Sequence, residues 1–152
     1  MKNTITLAAI GRRGEVSGYS GVLGSVAAQA IHSTRTFYSR VGFAVPWISY
    51  LGIAGGVPVG ICSFKSPPAE GRIEIAYFTF PKFEGRGYAT NMASGLVGVA
   101  QNHDPTLTIY AQTLPDRNAS HRILEKLGFR RIGEVNHSDD GVVAEWQLNE
   151  KE

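Results

Sequence analysis

A single cysteine, Cys62, stands in the 152 residues. No internal disulfide and no cysteine-rich zinc site can form, and the chain suits a reducing compartment, with the cytoplasm as the default. Long apolar runs are also missing. "MKNTITLAAIGRRGEV" is interrupted by Arg12 and Arg13 too early for a signal sequence, and nothing later approaches the ~18 consecutive apolar residues of a membrane span. Lys and Arg never cluster into a run; the formal charge is +2 and the pI about 8.8. That balance gives nothing for a dedicated nucleic-acid or membrane-surface protein, so the expected partner is small or only locally charged. His32, His103, His121 and His137 have no metal-ligand spacing, and no metal is expected; His121 reads as exposed helix surface. No low-complexity linker divides the chain. With 43% hydrophobic residues it can fill one core, and residues 1–152 read as one domain.

Glycine, by contrast, is plentiful, with 18 residues. "TITLAAI" alternates like a first strand, and the Gly- and Ser-dotted stretch from Glu15 to Phe43 reads as one or two weak helices. "WISYLGIA", "VPVGICSFK" and "RIEIAYFTF", separated by Gly55-Gly56 and "SPPAEG", make an antiparallel three-stranded meander. The period then changes. In "YATNMASGLVGVAQNH" apolar residues recur at helical spacing, with Gly95 and Gly98 either weakening the helix or letting it pack closely. "TLTIYAQTL" is a buried strand. "NASHRILEKLGF" is a helix that Asn118 can cap and Gly128 can stop, and "RRIGEVNHS", "DDG" and "VVAEWQLN" form a closing hairpin. The order predicts an α/β fold with a mixed, largely antiparallel central sheet of about seven strands flanked by helices.

"FEGRGYAT" joins the third meander strand to its helix through Gly85 and Gly87. It fits neither a Walker phosphate loop nor a dinucleotide fingerprint. What it offers is a run of main-chain N–H groups, from Gly85 to Thr90 with Arg86 among them, entering a helix N-terminus and suited to a metal-free pyrophosphate. An ordinary tight turn is the competing reading. Were Gly87 in a conformation open to other residues, Gly87→Val would cost the fold only ~1 kcal/mol.

The junction motif, followed by a strand and a second helix in "NASHRILEKLGFRRIGEV", resembles the GNAT superfamily of acyl-CoA-dependent N-acetyltransferases, and most of all the branch containing the ribosomal-protein N-terminal acetyltransferases. The likeness is specific from about Trp47 to Leu148. It implies acetyl-CoA as donor and an amine acceptor (a small molecule or a protein N-terminus); no membrane partner is expected from the missing apolar and basic runs, and a homodimer stays open. It also implies that Gly85, Arg86, Gly87, Tyr88, Ala89 and Thr90 hold the coenzyme A pyrophosphate, with Asn118 as a further contact. Phe78, Thr79 and Phe80 would pair through their backbone with the pantetheine arm, as an added strand would. Two positions depart from the motif. Glu84 puts an acid at its Gln/Arg position and is expected to face solvent, and Arg117 stands where this branch often has Asn, leaving Asn118 one step later.

Acetyl transfer by direct attack needs a neutral amine, a stabilised oxyanion and a stabilised thiolate. Glu74, a carboxylate inside an apolar strand, is the candidate base, either directly or through a water, and the matching glutamate of some family members agrees; a solvent-facing Glu or a pair with Arg72 is the alternative. Ser120 matches a serine placed to reach the leaving sulfur, and is equally readable as a helix cap. Tyr77 and Tyr110 could supply hydroxyls but read first as core, as do Trp47, Trp146 and Cys62. Against an enzyme stands a catalytically inactive acyl-CoA-binding regulatory module with the same cradle. Nucleic-acid binding rests only on the mildly basic pI.

Overall fold

Alternating burial and helical periodicity divide the chain into seven strands and three α-helices in a computed structural model that describes residues 4–116, 118–137 and 139–148. The order is β1 (Thr6–Ala9), α1 (Gly24–Val41), β2 (Ser49–Ala54), β3 (Val57–Phe64), β4 (Arg72–Thr79), α2 (Tyr88–His103), β5 (Thr108–Thr113), α3 (Ala119–Lys126), β6 (Phe129–His137) and β7 (Gly141–Leu148), with a 3-10 turn at Pro81–Phe83. The strands form one sheet in the order β1-β2-β3-β4-β5-β7-β6. Every pairing is antiparallel except β4 with β5, which the α2 crossover makes parallel. The stretch read as one or two weak helices holds one. Ala27, Ile31, Thr34 and Tyr38 bury a single stripe of α1, and the Tyr38 hydroxyl anchors it, donating to Ile10 O at 2.7 Å and accepting from Ser49 N at 2.9 Å.

Met92, Ala93, Leu96 and Ala100 of α2 are fully buried against the sheet. Gly95 is there for close approach: a Cβ on it would lie 2.8 Å from Leu7 Cδ1, whereas one on Gly98 would meet nothing within 4 Å. A Cβ on Gly60 would meet Met92 Cε at 2.6 Å, which identifies the α2 face of β3. Gly60 pairs with Thr79 and Cys62 with Tyr77, so strand alternation puts Ile73, Ile75, Tyr77 and Thr79 on that face and Arg72, Glu74 and Phe78 on the other. Cys62 is buried as a small apolar residue.

The β4–β5 ladder decides where a ligand can enter. It consists of Arg72↔Thr108, Ile73↔Ile109 and Glu74↔Tyr110. Beyond Glu74, β4 continues to Thr79 paired with β3 alone, and beyond Tyr110, β5 continues to Thr113 paired with β7 alone. The two parallel strands therefore part at the level of Glu74, leaving one side of β4 without a strand neighbour from Ile75 to Thr79.

Candidate active site

A cleft of about 640 Å³ occupies this parting. Its walls are the end of β4, the glycine junction with the first turn of α2, and the first two turns of α3. Tyr77 and Phe78, which face opposite sides of the sheet, both line it, so the cleft reaches the end of β4 where that strand has no β5 neighbour.

At the glycine junction, Gly85 and Gly87 have φ of +79° and +82°, a region costly for residues with a Cβ. Gly87 is the N-cap of α2, makes no side-chain capping bond, and hands its carbonyl to Asn91 N at 3.2 Å. The amides of Tyr88, Ala89 and Thr90 precede the first i→i−4 bond and so have no partner within the helix. They point out of the positive end of the helix dipole, with no acidic residue in the first turn. Gly87 is thus not in a conformation open to other residues, and the sequence-based ~1 kcal/mol for Gly87→Val is too small: a β-branched residue in the left-handed region costs more than helix propensity alone. Glu84 is exposed, as expected, and sits on the cleft rim. Arg86 is exposed too, its guanidinium 5.8 Å from the Phe83 ring centroid.

The strand edge corrects the expectation for Phe78 and Phe80. Phe80 N donates to Val59 O at 2.9 Å and Lys65 N to Glu74 O at 2.9 Å. In an antiparallel ladder these bonds fix the alternation: Phe78 exchanges both backbone bonds with Ile61, while Tyr77 and Thr79 turn theirs to the open side. Phe80 is in the core, with its carbonyl also accepting from Phe83 N at 2.8 Å. Of the three residues, only Thr79 presents its backbone to the cleft, and Tyr77 joins it. Moreover, Thr79 Oγ1 is a buried side-chain oxygen without a hydrogen-bond partner, and the buried Tyr77 hydroxyl has at most the Ser120 hydroxyl to meet it. Buried polar groups are rarely left so, and two beside one cleft mark a place for a polar ligand.

Asn118 spends its side chain on α3: Oδ1 accepts from Ser120 N at 2.9 Å and Nδ2 donates to Asp116 O at 2.8 Å. It is a cap, and its amide is committed away from a cofactor contact. Asn118→Ala should cost about 1 kcal/mol of unfolding free energy in a denaturant titration. Because Asn118 caps, Ser120 does not, and its hydroxyl is left in the cleft beside Tyr77. Burial pushes the Tyr77 phenol up to about 12, an effect the Ser120 hydroxyl opposes, so Tyr77 keeps its proton at neutral pH. Arg117 lies outside the described residues.

Sequence reasoning missed Arg122 and Lys126, which line the cleft one helical turn apart and face it from α3. It also misplaced His121. That ring is buried, with Nε2 2.9 Å from Leu114 O and its centroid 5.0 Å from that of Trp146, the two planes tilted by 60°. It holds the β5–α3 connection instead of facing solvent.

Glu74 stands at the parting itself, on the face opposite α2. Its supposed partner Arg72 is taken by Glu145 at 2.7 Å and lies over the Tyr110 ring at 4.0 Å. Desolvation raises the Glu74 pKa above its ordinary value, against the pull of Lys65, His137 and the Tyr110 hydroxyl. The side chain is half-buried. No group of three or more His, Cys, Asp or Glu among the described residues could hold a metal, and no described helix is long and apolar enough to cross a membrane.

Residues 15–130 match the family model of the acetyltransferase (GNAT) domain. No curated protein matches the chain. Among solved structures, the fold is similar to an acetyltransferase (GNAT family) from Bacillus anthracis, at 24% identity over 78% of this chain and 74% of that one, with a TM-score of 0.61. It is also similar to aminoglycoside acetyltransferase AAC(6')-Ib in complex with coenzyme A, at 24% identity over 66% of this chain and 65% of that one, TM-score 0.58. A third is RimL, a ribosomal L7/L12 alpha-N-protein acetyltransferase in complex with coenzyme A, at 16% identity over 80% and 70% of the two chains, TM-score 0.62.

Proposed function

Since the chain belongs to the GNAT acetyltransferase family, we propose that it acetylates a primary amine by direct attack on acetyl-CoA, bound through the β4–β5 parting, with Glu74 as the base. The observation that carries this reading is the parting itself. It leaves the Tyr77 and Thr79 backbone edge open beside the unpartnered first-turn amides of α2, and it ends at Glu74.

The donor's pyrophosphate is assigned to the amides of Tyr88, Ala89 and Thr90, with Gly85 and Gly87 shaping the turn and Arg122 and Lys126 supplying positive charge from the facing wall. The pantetheine arm pairs with Tyr77 and Thr79 as an added strand and carries the thioester to the level of Glu74. Glu74, its carboxylate made more basic by burial, takes a proton from the bound ammonium directly or through a water to leave a neutral amine; the amine nitrogen then bonds to the acetyl carbon, the carbon–sulfur bond breaks, and the second proton lost from nitrogen balances protonation of the departing thiolate. The Tyr77 and Ser120 hydroxyls lie on the α2 side of the opening, where either can donate a hydrogen bond or proton to the departing thiolate. Tyr77→Phe should lower kcat about tenfold or more with little change in coenzyme A affinity, and Ser120→Ala should have a smaller effect, as measured by steady-state kinetics beside equilibrium binding.

Relatives that share the fold act on quite different amines, an aminoglycoside in one and a ribosomal protein N-terminus in another. The acceptor is therefore sought by thiol release from acetyl-CoA against a panel of N-terminal peptides, amino acids, polyamines, aminoglycosides and aminoacyl-tRNA. Amine-dependent release of coenzyme A is expected with at least one class. Tight coenzyme A binding with no release across the panel would instead make the domain an acyl-CoA-binding module.

A further inference from the structure

A second concavity, of about 630 Å³, lies between the loop after β1 and the outer side of α1, and shares no residue with the acetyl-transfer cleft. It sits at the β1 edge, with β2 and β3 between it and the strand that carries Glu74. Arg12 approaches from the loop; His32 and Arg35 come from α1 one turn apart, and Phe43 with the Tyr38 ring forms an aromatic floor, the two rings 5.0 Å apart edge to face. The Arg12 guanidinium lies 5.3 Å from the Phe43 centroid.

Neither Arg12 nor Arg35 forms a salt bridge among the described residues. The carboxylate of the same loop, Glu15, is turned to its own backbone: Oε1 accepts from Arg13 N at 3.1 Å and the group lies against Gly11. Two permanent cations and an imidazole thus line one concave surface with no salt-bridge partner among the described residues. Like charges held together this way favour a multiply charged anion, and guanidinium forks match phosphate oxygens two at a time. A monocarboxylate would leave one cation unmatched. The aromatic floor of Phe43 and Tyr38 adds an apolar surface beside the Arg12 guanidinium for a planar group. The volume is within the range of small-molecule sites.

From this cluster we infer a second ligand site, for a small phosphate monoester carrying an aromatic or planar body, held by Arg12 and Arg35 over Phe43. All the side chains that would hold the phosphate are exposed, so binding should weaken steeply with salt.

The test is titration of the full chain with phenyl phosphate, followed by calorimetry and by the His32 ring signals in NMR, with coenzyme A present at saturation to fill the other cleft. Saturable binding that shifts His32 is expected. It should be tighter than that of inorganic phosphate or benzoate, and should weaken about tenfold or more in Arg12→Gln/Arg35→Gln, which keeps its coenzyme A affinity. Absence of saturation in the millimolar range would overturn the site, as would equal binding of benzoate or an unchanged affinity in the double variant. Binding seen only without coenzyme A, and lost in Arg122→Gln/Lys126→Gln, would assign the phosphate to the acetyl-transfer cleft instead. Failure of acetyl transfer would leave this result untouched, because the two sites share no residue.

Discussion

Gly87→Asn should leave the protein folded and cut its affinity for coenzyme A by roughly tenfold to a hundredfold, the cost of one or two lost charge-assisted hydrogen bonds. Gly87 has φ +82° and ψ 7°, and a Cβ there would touch nothing within 4 Å in the protein. The penalty in the free protein is therefore conformational, and Asn is the side chain that bears the left-handed region best. Unfolding free energy should fall by about 1 kcal/mol or less, compared with about 1–2 kcal/mol or more for Gly87→Val. The affinity loss arises because the empty space around that Cβ belongs to the cleft, beside the amides of Tyr88, Ala89 and Thr90. Denaturant unfolding and calorimetry on the same preparation separate the two effects. Lost stability with unchanged affinity of the folded fraction would make the junction a turn and nothing more.

Glu74→Gln should lower kcat by about a hundredfold or more, the range of a lost general base, while coenzyme A binding stays near normal. In the wild type, kcat/KM should rise with pH through a midpoint above 4.5, the ordinary value, because desolvation favours the protonated carboxyl. The variant should lack that limb. The linkage to stability has the opposite sign from a salt-bridged acid. Between the unfolded value and the raised native one, the native state holds more proton than the unfolded state, so Glu74 subtracts stability as pH rises through that window. Above it, Glu74→Gln should be at least as stable as the wild type in thermal melts. A variant that loses activity by losing stability at neutral pH would assign the carboxylate a structural role.

Much of this site could be read before any coordinates, for reasons visible in single residues. The run "RIEIAYFTF" alternates, so β4 and the placing of Glu74 within it follow from period two, and the glycines that end it announce a turn with positive φ values that glycine takes most cheaply. Asn118 capping α3 and Gly128 ending it are local events, and both are present. What was hidden is tertiary. Nothing in the sequence says that β4 and β5 pair for three residues and then part, and without that register the backbone of Phe78 could not be told from that of Thr79. Arg122 and Lys126 look like any solvated turn of an amphipathic helix until α3 is set against the start of α2. His121 is polar on an exposed-looking helix, and only the packing of Trp146 shows that it is buried. The two cationic surfaces, at the cleft and beside Phe43, are likewise assembled from residues far apart in sequence, which is why a net charge of +2 gave no hint of either.

The central claim is that the acetyl donor lies through the parting of β4 and β5, held by backbone on both sides. Amide hydrogen exchange resolved to single residues, with and without coenzyme A, tests it most directly. Protection should appear at Tyr88, Ala89 and Thr90, whose amides have no partner in the helix, and at Tyr77 and Thr79, whose backbone faces the opening, with Phe78 little changed because Ile61 already holds it. Protection that spared both sets, or that fell on the loop and helix around Arg12 and Arg35, would contradict the placement of the donor.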